Sequence, residues 1–261
     1  MTEVRVREMT AEDETFVGRC AREAGPEDLD RSAARRVQWL KERHAEGVRA
    51  FVAHRDHHPV GFLFAIPIET SPWGPLGEDL LVIPCFFVTE PARRAGAAHA
   101  LLEAVEEEAR AQDRAGLVAL AHNHEAWFME PAFLEHLGFV VAARRGVERI
   151  YWKLVSEKTP PTPRILESTY RFESVHGKVV VDLFWNRFCL TSDLEAERVR
   201  DVASEFGERV LLREHDTTDP EVLRRVQVPR AIFVQGERIS WGYEAPREGL
   251  RETILEALEQ G

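Results

Sequence analysis

The sequence predicts a mixed α/β protein in two domains: a mixed-sheet unit first, then a smaller unit with element order β-α-β-α-β-β-α. Three observations predict this. Short alternating or continuous apolar runs trade places with longer stretches whose apolar residues recur at helical spacing. The chain has 261 residues, more than one small domain needs. The stretch SEKTPPTPRILES holds Pro160, Pro161 and Pro163, which favour extended geometry over helix and read as a semi-rigid linker. The expected division is residues 1–155, a linker over 156–170, and residues 171–261.

In the first domain, residues 3–8 alternate as a short strand. Thr10 offers an N-cap with Asp13 three residues on, before a helix to about Ala24. Gly25-Pro26 breaks the chain, and a second helix carries Val37 and Leu40 on one face. Residues 48–54 and 59–68 read as two strands around a polar turn, and residues 80–88 as a central strand buried on both faces. In the next helix Ala98, Leu101, Leu102, Val105 and Ala109 share a face. Residues 116–121 form another buried strand, a short helix stops at Gly138, and strands over 139–143 and 148–154 complete the domain.

In the second domain, residues 178–185 read as a strand, and Asp193 caps a helix with Val199, Val202, Ala203 and Phe206 on one face. A strand over 210–215 follows, then a short helix opened by Asp219-Pro220. Residues 231–234 and 238–241 form a hairpin, and the last helix carries Leu250, Ile254 and Leu258.

Net charge is −11, which argues against nucleic-acid binding, since neutralising phosphates needs a basic face. No apolar run is long enough to span a membrane and the charged N-terminus is unlike a signal peptide, so the expectation is a cytoplasmic protein without a membrane partner. Cys20, Cys85 and Cys189 are odd in number and far apart, which fits neither a disulfide framework nor a metal knuckle. His54, His57 and His58 sit where a solvated hairpin turn is expected, and no metal site is assigned.

The most informative stretch of the first half is CFFVTEPARRAGAAHALLEAV. A buried strand ends at Val88, and Arg93-Arg94-Ala95-Gly96-Ala97-Ala98 leads into a helix. Small residues let the backbone approach a ligand, and free N–H groups at a helix start suit a pyrophosphate. Residues 88–102 resemble the acetyl-CoA-binding motif of the GNAT N-acetyltransferase superfamily, Gln/Arg-x-x-Gly-x-Gly/Ala, and Phe133 to Phe139 resembles that family's Phe-Tyr-x-x-Leu-Gly-Phe. The resemblance covers roughly residues 2–154. It implies acetyl-CoA as cosubstrate, its pyrophosphate on the N–H groups of Arg94 to His99, and its pantetheine beside Phe86, Phe87 and Val88. The acceptor, a small-molecule or protein amine, would attack the thioester directly.

Two departures stand out. Leu134 occupies the position of the tyrosine that commonly protonates the leaving thiolate, and Met129-Glu130-Pro131 interrupts the preceding helix. Asn123, His124 and Glu125, just past a strand end, are the catalytic candidates, since a histidine or carboxylate there could take a proton through water. Cys85 reads as a small buried hydrophobe. The loop over residues 71–79, with Trp73, is expected to border the substrate pocket.

The stretches VVVDLFWNRFCLTS and HDTTDPEVLRRVQVPRAIFVQGERI resemble the thioredoxin-like superfamily over roughly residues 177–260, and the pairing of domains resembles proteins with a YoaP-like C-terminal region. The resemblance implies a cis peptide before Pro229 and a thiol site at Cys189, with Ser192 where the second cysteine would stand. A lone thiol forms mixed disulfides but closes no internal one. A helix start favours its thiolate, while Asp193, Glu195 and Glu197 bring opposing charge. Asp182 is either a proton carrier or a residue facing water. The reading is an acetyltransferase acting on a primary amine. The alternatives are an acyl-CoA-sensing monothiol or thiol-binding adaptor using Cys189, and a scaffold.

Overall fold

The computed structural model describes residues 4–23, 25–93, 95–122, 129–240 and 244–260. The chain forms two compact units, residues 1–23 with 37–166, and residues 24–36 with 167–261. Residues 24–36 therefore group with the second unit, a division that no reading of the proline-rich stretch anticipates.

The first unit begins with β1 (Arg5–Glu8), a 3₁₀ turn (Ala11–Asp13) and α1 (Glu14–Gly18). It takes the part of α2 (Glu27–Glu42) from Val37 onward. There follow β2 (Arg49–Arg55), β3 (His58–Pro67), β4 (Leu80–Val82), β5 (Phe86–Val88), α3 (Ala97–Ala111), β6 (Gly116–His122), α4 (Pro131–His136), β7 (Val140–Arg145) and β8 (Glu148–Leu154). The eight-stranded sheet runs β1-β2-β3-β4-β6-β8-β7, with β5 pairing β3. The β4–β6 pair is parallel and the others are antiparallel. Ala97, Leu101, Leu102, Val105 and Ala109 of α3 bury their stripe against Ala53, Leu63, Ala65, Leu81 and Leu117, the burial of a helix face that drives such packing.

Two expectations change here, and the place of one loop is defined. The first helix is a 3₁₀ turn plus five residues, and the chain turns at Cys20 and Ala21, both at positive φ, so Cys20 lies past the helix. The central strand divides into β4 and β5 around Pro84, which has no N–H to give a ladder. The loop over residues 71–79 joins β4 at the end away from β5. Its Leu76 exchanges backbone hydrogen bonds of 2.9 and 2.8 Å with Arg164, and Gly74 abuts Leu166. It packs on the proline-rich segment.

In the second unit come β9 (Val179–Trp185), α5 (Leu190–Ser204), β10 (Val210–Asp216), α6 (Pro220–Val226), β11 (Ala231–Val234), β12 (Glu237–Ile239) and α7 (Arg247–Gln260). The four-stranded sheet is ordered β10-β9-β11-β12, with β9 and β10 parallel and β11 antiparallel to both neighbours. Every residue of β9 is buried. Val179, Val181, Leu183 and Trp185 join the core with Val199, Val202, Leu250 and Ile254. Phe184, on the opposite face, packs with Val228, Ala231 and Tyr170. The first half of α2 is tied to α5 by ion pairs from Arg31 to Glu197 and from Arg35 to Asp193 and Glu197.

Candidate functional site

Pro84 opens the sheet of the first unit. Leu80, Leu81 and Val82 pair with Gly116, Leu117 and Val118, and the Ile83 N–H still reaches the Val118 carbonyl at 2.8 Å. Beyond it the strands part. Residues 86–88 pair with β3, while residues 119–122 pair with β8. The result is a gap between β5 and β6, edged by backbone polar groups that neither strand supplies to the other.

The gap leads to the N-terminus of α3. Gly96 is its N-cap, at φ +84° and without a side-chain cap, a left-handed conformation that glycine adopts without strain. A Cβ placed on Gly96 would meet nothing within 4 Å, so the backbone is open to a ligand. The first helical hydrogen bond runs from the Ala100 N–H to the Gly96 carbonyl at 3.0 Å, which leaves the N–H groups of Ala97, Ala98 and His99 ahead of it. The Arg93 and Ala95 amides, by contrast, donate to Glu90 and Ala92. Arg93 is exposed and can act through its side chain, whereas Ala95 acts only by being small. Arg94 lies outside the described residues, as do Asn123, His124 and Glu125.

The expected trio on β5 divides between two faces. Phe86 is buried with α3 and Leu134, its ring 5.1 Å from that of Phe133, and Val88 packs on the same cluster. Phe87 turns the other way and stacks on Phe62 at 5.6 Å. His99 is exposed, its ring perpendicular to that of His136 at 5.6 Å. Leu134 is fully buried, and Pro131 sits in the first turn of α4, where no N–H is needed. Tyr151 is buried and its hydroxyl donates to the Glu135 carboxylate at 2.8 Å. Burial and that bond raise its pKa.

A pair missed by sequence reasoning lies on β2. His54 Nε2 is 2.7 Å from Asp13 Oδ1, while Asp13 Oδ2 accepts from Arg7 at 2.6 Å and from the Thr10 N–H at 2.9 Å. Only His57 and its neighbour Asp56 form the turn, both at positive φ. The Thr10–Asp13 spacing was the available signal, though nothing in it points to residue 54. Among the described residues, no group of three metal-ligating side chains converges.

In the second unit, Cys189 immediately precedes α5. Its Sγ is 3.2 Å from Thr191 Oγ1, which accepts from Arg230 Nη1 at 2.7 Å. Asn186 holds the loop, accepting the Cys189 N–H at 2.9 Å and donating to the Pro229 carbonyl at 3.0 Å. Ser192 is buried and accepts the Asn186 N–H at 3.0 Å. The acidic helix start is neutralised, since Asp193 pairs with Arg35, Glu195 with Arg230, and Glu197 with Arg31 and Arg35. The cis peptide expected before Pro229 is not found: among the described residues the cis bond is Gly74–Pro75. The Pro229 carbonyl is instead fixed by Asn186 and by Thr217 Oγ1 at 2.8 Å. Asp182 does not face water. It accepts from the Tyr170 hydroxyl at 2.8 Å and lies 3.6 Å from His215 Nε2.

Solved structures that match part of the chain include N-acetyltransferases. A GNAT-family acetyltransferase from Staphylococcus aureus Mu50 is 13% identical, with 59% of this chain and all of that one covered, at a TM-score of 0.44. A ribosomal-protein-alanine N-acetyltransferase from Brucella melitensis is 19% identical over 57% and 99% of the two chains, at 0.42. The PaiA N-acetyltransferase of Thermoplasma acidophilum, in complex with coenzyme A, is 14% identical over 58% and 99%, at 0.43. No curated protein matches the chain. The family model of the GNAT acetyltransferases matches residues 9–139, half of the chain, a span that includes the gap beside β5 and the glycine at the head of α3. On that match, the chain belongs to the GNAT acetyltransferase family.

Proposed function

We propose that this chain transfers the acetyl group of acetyl-CoA to a primary amine, by direct attack of the amine on the thioester. The observation that carries the reading is the gap between β5 and β6 running to the uncapped start of α3. Anions are favoured where unpaired N–H groups and the helix dipole converge, so Gly96, Ala97, Ala98 and His99 would hold the pyrophosphate, with Arg93 supplying countercharge. The free edge of β5 offers backbone partners to the amide groups of the pantetheine arm. Acetyl-CoA brings the activated acyl group; the protein positions it and manages protons. Asn123, His124 and Glu125 are the groups proposed to take the amine's proton, with Leu134 leaving the departing thiolate without a tyrosine. The three free cysteines fit a reducing compartment such as the cytoplasm.

The second unit is proposed to be thioredoxin-like, a reading supported by its β10-β9-β11-β12 order and by the cysteine before α5. A second function follows from Cys189, as a monothiol or thiol-binding adaptor. It is favoured by the Arg230–Thr191–Cys189 chain of hydrogen bonds and by the neutralised carboxylates around it. Isothermal titration of acetyl-CoA, followed by turnover with a panel of amines, tests the first reading. Binding that is weakened at least tenfold by Arg93→Glu or Gly96→Glu is expected, and no heat of binding to acetyl-CoA or CoA would sink it.

A further inference from the structure

We infer that the acceptor side of the gap is an aromatic wall, and that the preferred amine carries a flat apolar group close to its nitrogen. The inference rests on the acetyl-transfer reading above and adds to it a substrate class and three specificity-determining residues, Phe16, Cys85 and Phe87.

The two faces of β5 differ. The α3 face is filled: Phe86 is 4% exposed and shares its cluster with Ala97, Leu101, Met129 and Leu134. That face also carries the helix start where the pyrophosphate would sit, so the cosubstrate approaches along it. An acceptor then has the opposite face from which to reach the thioester.

The opposite face is built from rings. Phe62 and Phe87 are cross-strand partners, and the Phe64 N–H donates to the Cys85 carbonyl at 3.2 Å. Directly opposed residues put their side chains on the same face, so Phe62, Phe64, Cys85 and Phe87 share it. Phe62 lies 5.1 Å from Phe64 and 5.6 Å from Phe87, and Phe16 of α1 meets its edge at 5.9 Å. Phe62 and Phe64 are buried and form the floor, whereas Phe16, Cys85 and Phe87 are half-buried and form the accessible wall. Cys85, on the same face, is small beside Phe87.

Two carboxylates close to Phe16 in sequence are already paired. Asp13 is spent on Arg7, Thr10 and His54, and Glu14 is paired with Lys41 at 2.7 Å. Stacking and edge-on contacts between rings are favourable beyond the area they bury, so this wall recognises an aromatic or bulky apolar substituent.

The test uses the full chain saturated with acetyl-CoA for turnover, or with CoA for binding, and offers 2-phenylethylamine and spermidine. Ligand-observed saturation-transfer NMR reads binding independently of turnover. Expected are ring signals from 2-phenylethylamine and a kcat/KM about tenfold above that for spermidine. Phe87→Ala should remove most of that preference, with Phe87→Leu as the variant that keeps apolar bulk and loses the ring face. Cys85→Leu, which adds bulk beside Phe87, should raise KM for the aromatic amine more than for spermidine. Spermidine bound or acetylated as well as the aromatic amine, or a preference untouched in both Phe87 variants, overturns the inference while leaving acetyl transfer standing. Failure to bind acetyl-CoA in calorimetry overturns the reading beneath it.

Discussion

Asp13 and His54 form a carboxylate–imidazole pair 2.7 Å apart, 41 residues apart in sequence, with Asp13 only 1% exposed. Burial alone would raise the Asp13 pKa. Hydrogen bonds from the Thr10 N–H and His54, and the charges of His54 and Arg7, outweigh it and hold the carboxyl below its ordinary value.

A carboxyl depressed in the folded state stabilises it above the unfolded value of about 4, and that contribution is lost as pH falls through the folded value. Urea unfolding of the wild type should therefore show stability declining below about pH 4, and Asp13→Asn should flatten that decline. At pH 7, His54→Leu should cost about 1–3 kcal/mol, because it leaves a buried carboxylate short of a donor.

Gly96→Ala separates backbone strain from steric clash. Open space surrounds the site, so the penalty comes from the positive φ, about 1–2 kcal/mol. If the helix start relaxes to relieve it, affinity for acetyl-CoA falls by about the same free energy, roughly tenfold. Denaturation and calorimetry on one variant measure both effects.

Arg35 spans Asp193 and Glu197, with its Nε 2.8 Å from Asp193 Oδ2. Asp193 is 1% exposed. Arg35→Ala should destabilise the second unit by about 1–3 kcal/mol, discounted from a fully buried pair because Arg35 is itself partly solvated. Arg35→Ala combined with Asp193→Asn should recover part of the loss, which an unfolding double-mutant cycle would read.

Thr191 accepts a hydrogen bond from Arg230, so its own hydroxyl proton is free to point at Cys189 Sγ. Thr191→Val removes that donor and should slow alkylation of Cys189 by iodoacetamide severalfold at constant pH. An unchanged rate would mean that the contact does not activate the thiol.

Local pattern made much of this molecule legible. The α3 stripe, the glycine at its head and the order of elements after residue 177 are all written in residue spacing, because each depends on a few neighbours. Pro84 was in plain view, yet the run around it is so apolar that it reads as one strand; the missing N–H matters only once a partner strand is there to need it. Asp193, Glu195 and Glu197 read as a negative cluster for a similar reason, since the arginines that neutralise them lie at positions 31, 35 and 230. The Asp13–His54 pair joins two segments whose proximity only the β1–β2–β3 sheet creates. The gap at the site was visible as a motif but not as a shape.

That shape has a mechanical consequence. Among the described residues, three residue pairs and two further backbone hydrogen bonds, all at one end, join β1–β5 to β6–β8. Each half-sheet keeps its own ladders, so the free end can widen or narrow by flexing about this seam without breaking either set. Opening of that kind is limited by α3, whose buried stripe packs on both halves. Amide exchange should be slow at the seam and faster along the lips, giving the domain the behaviour of a hinged clasp that closes on what fills it.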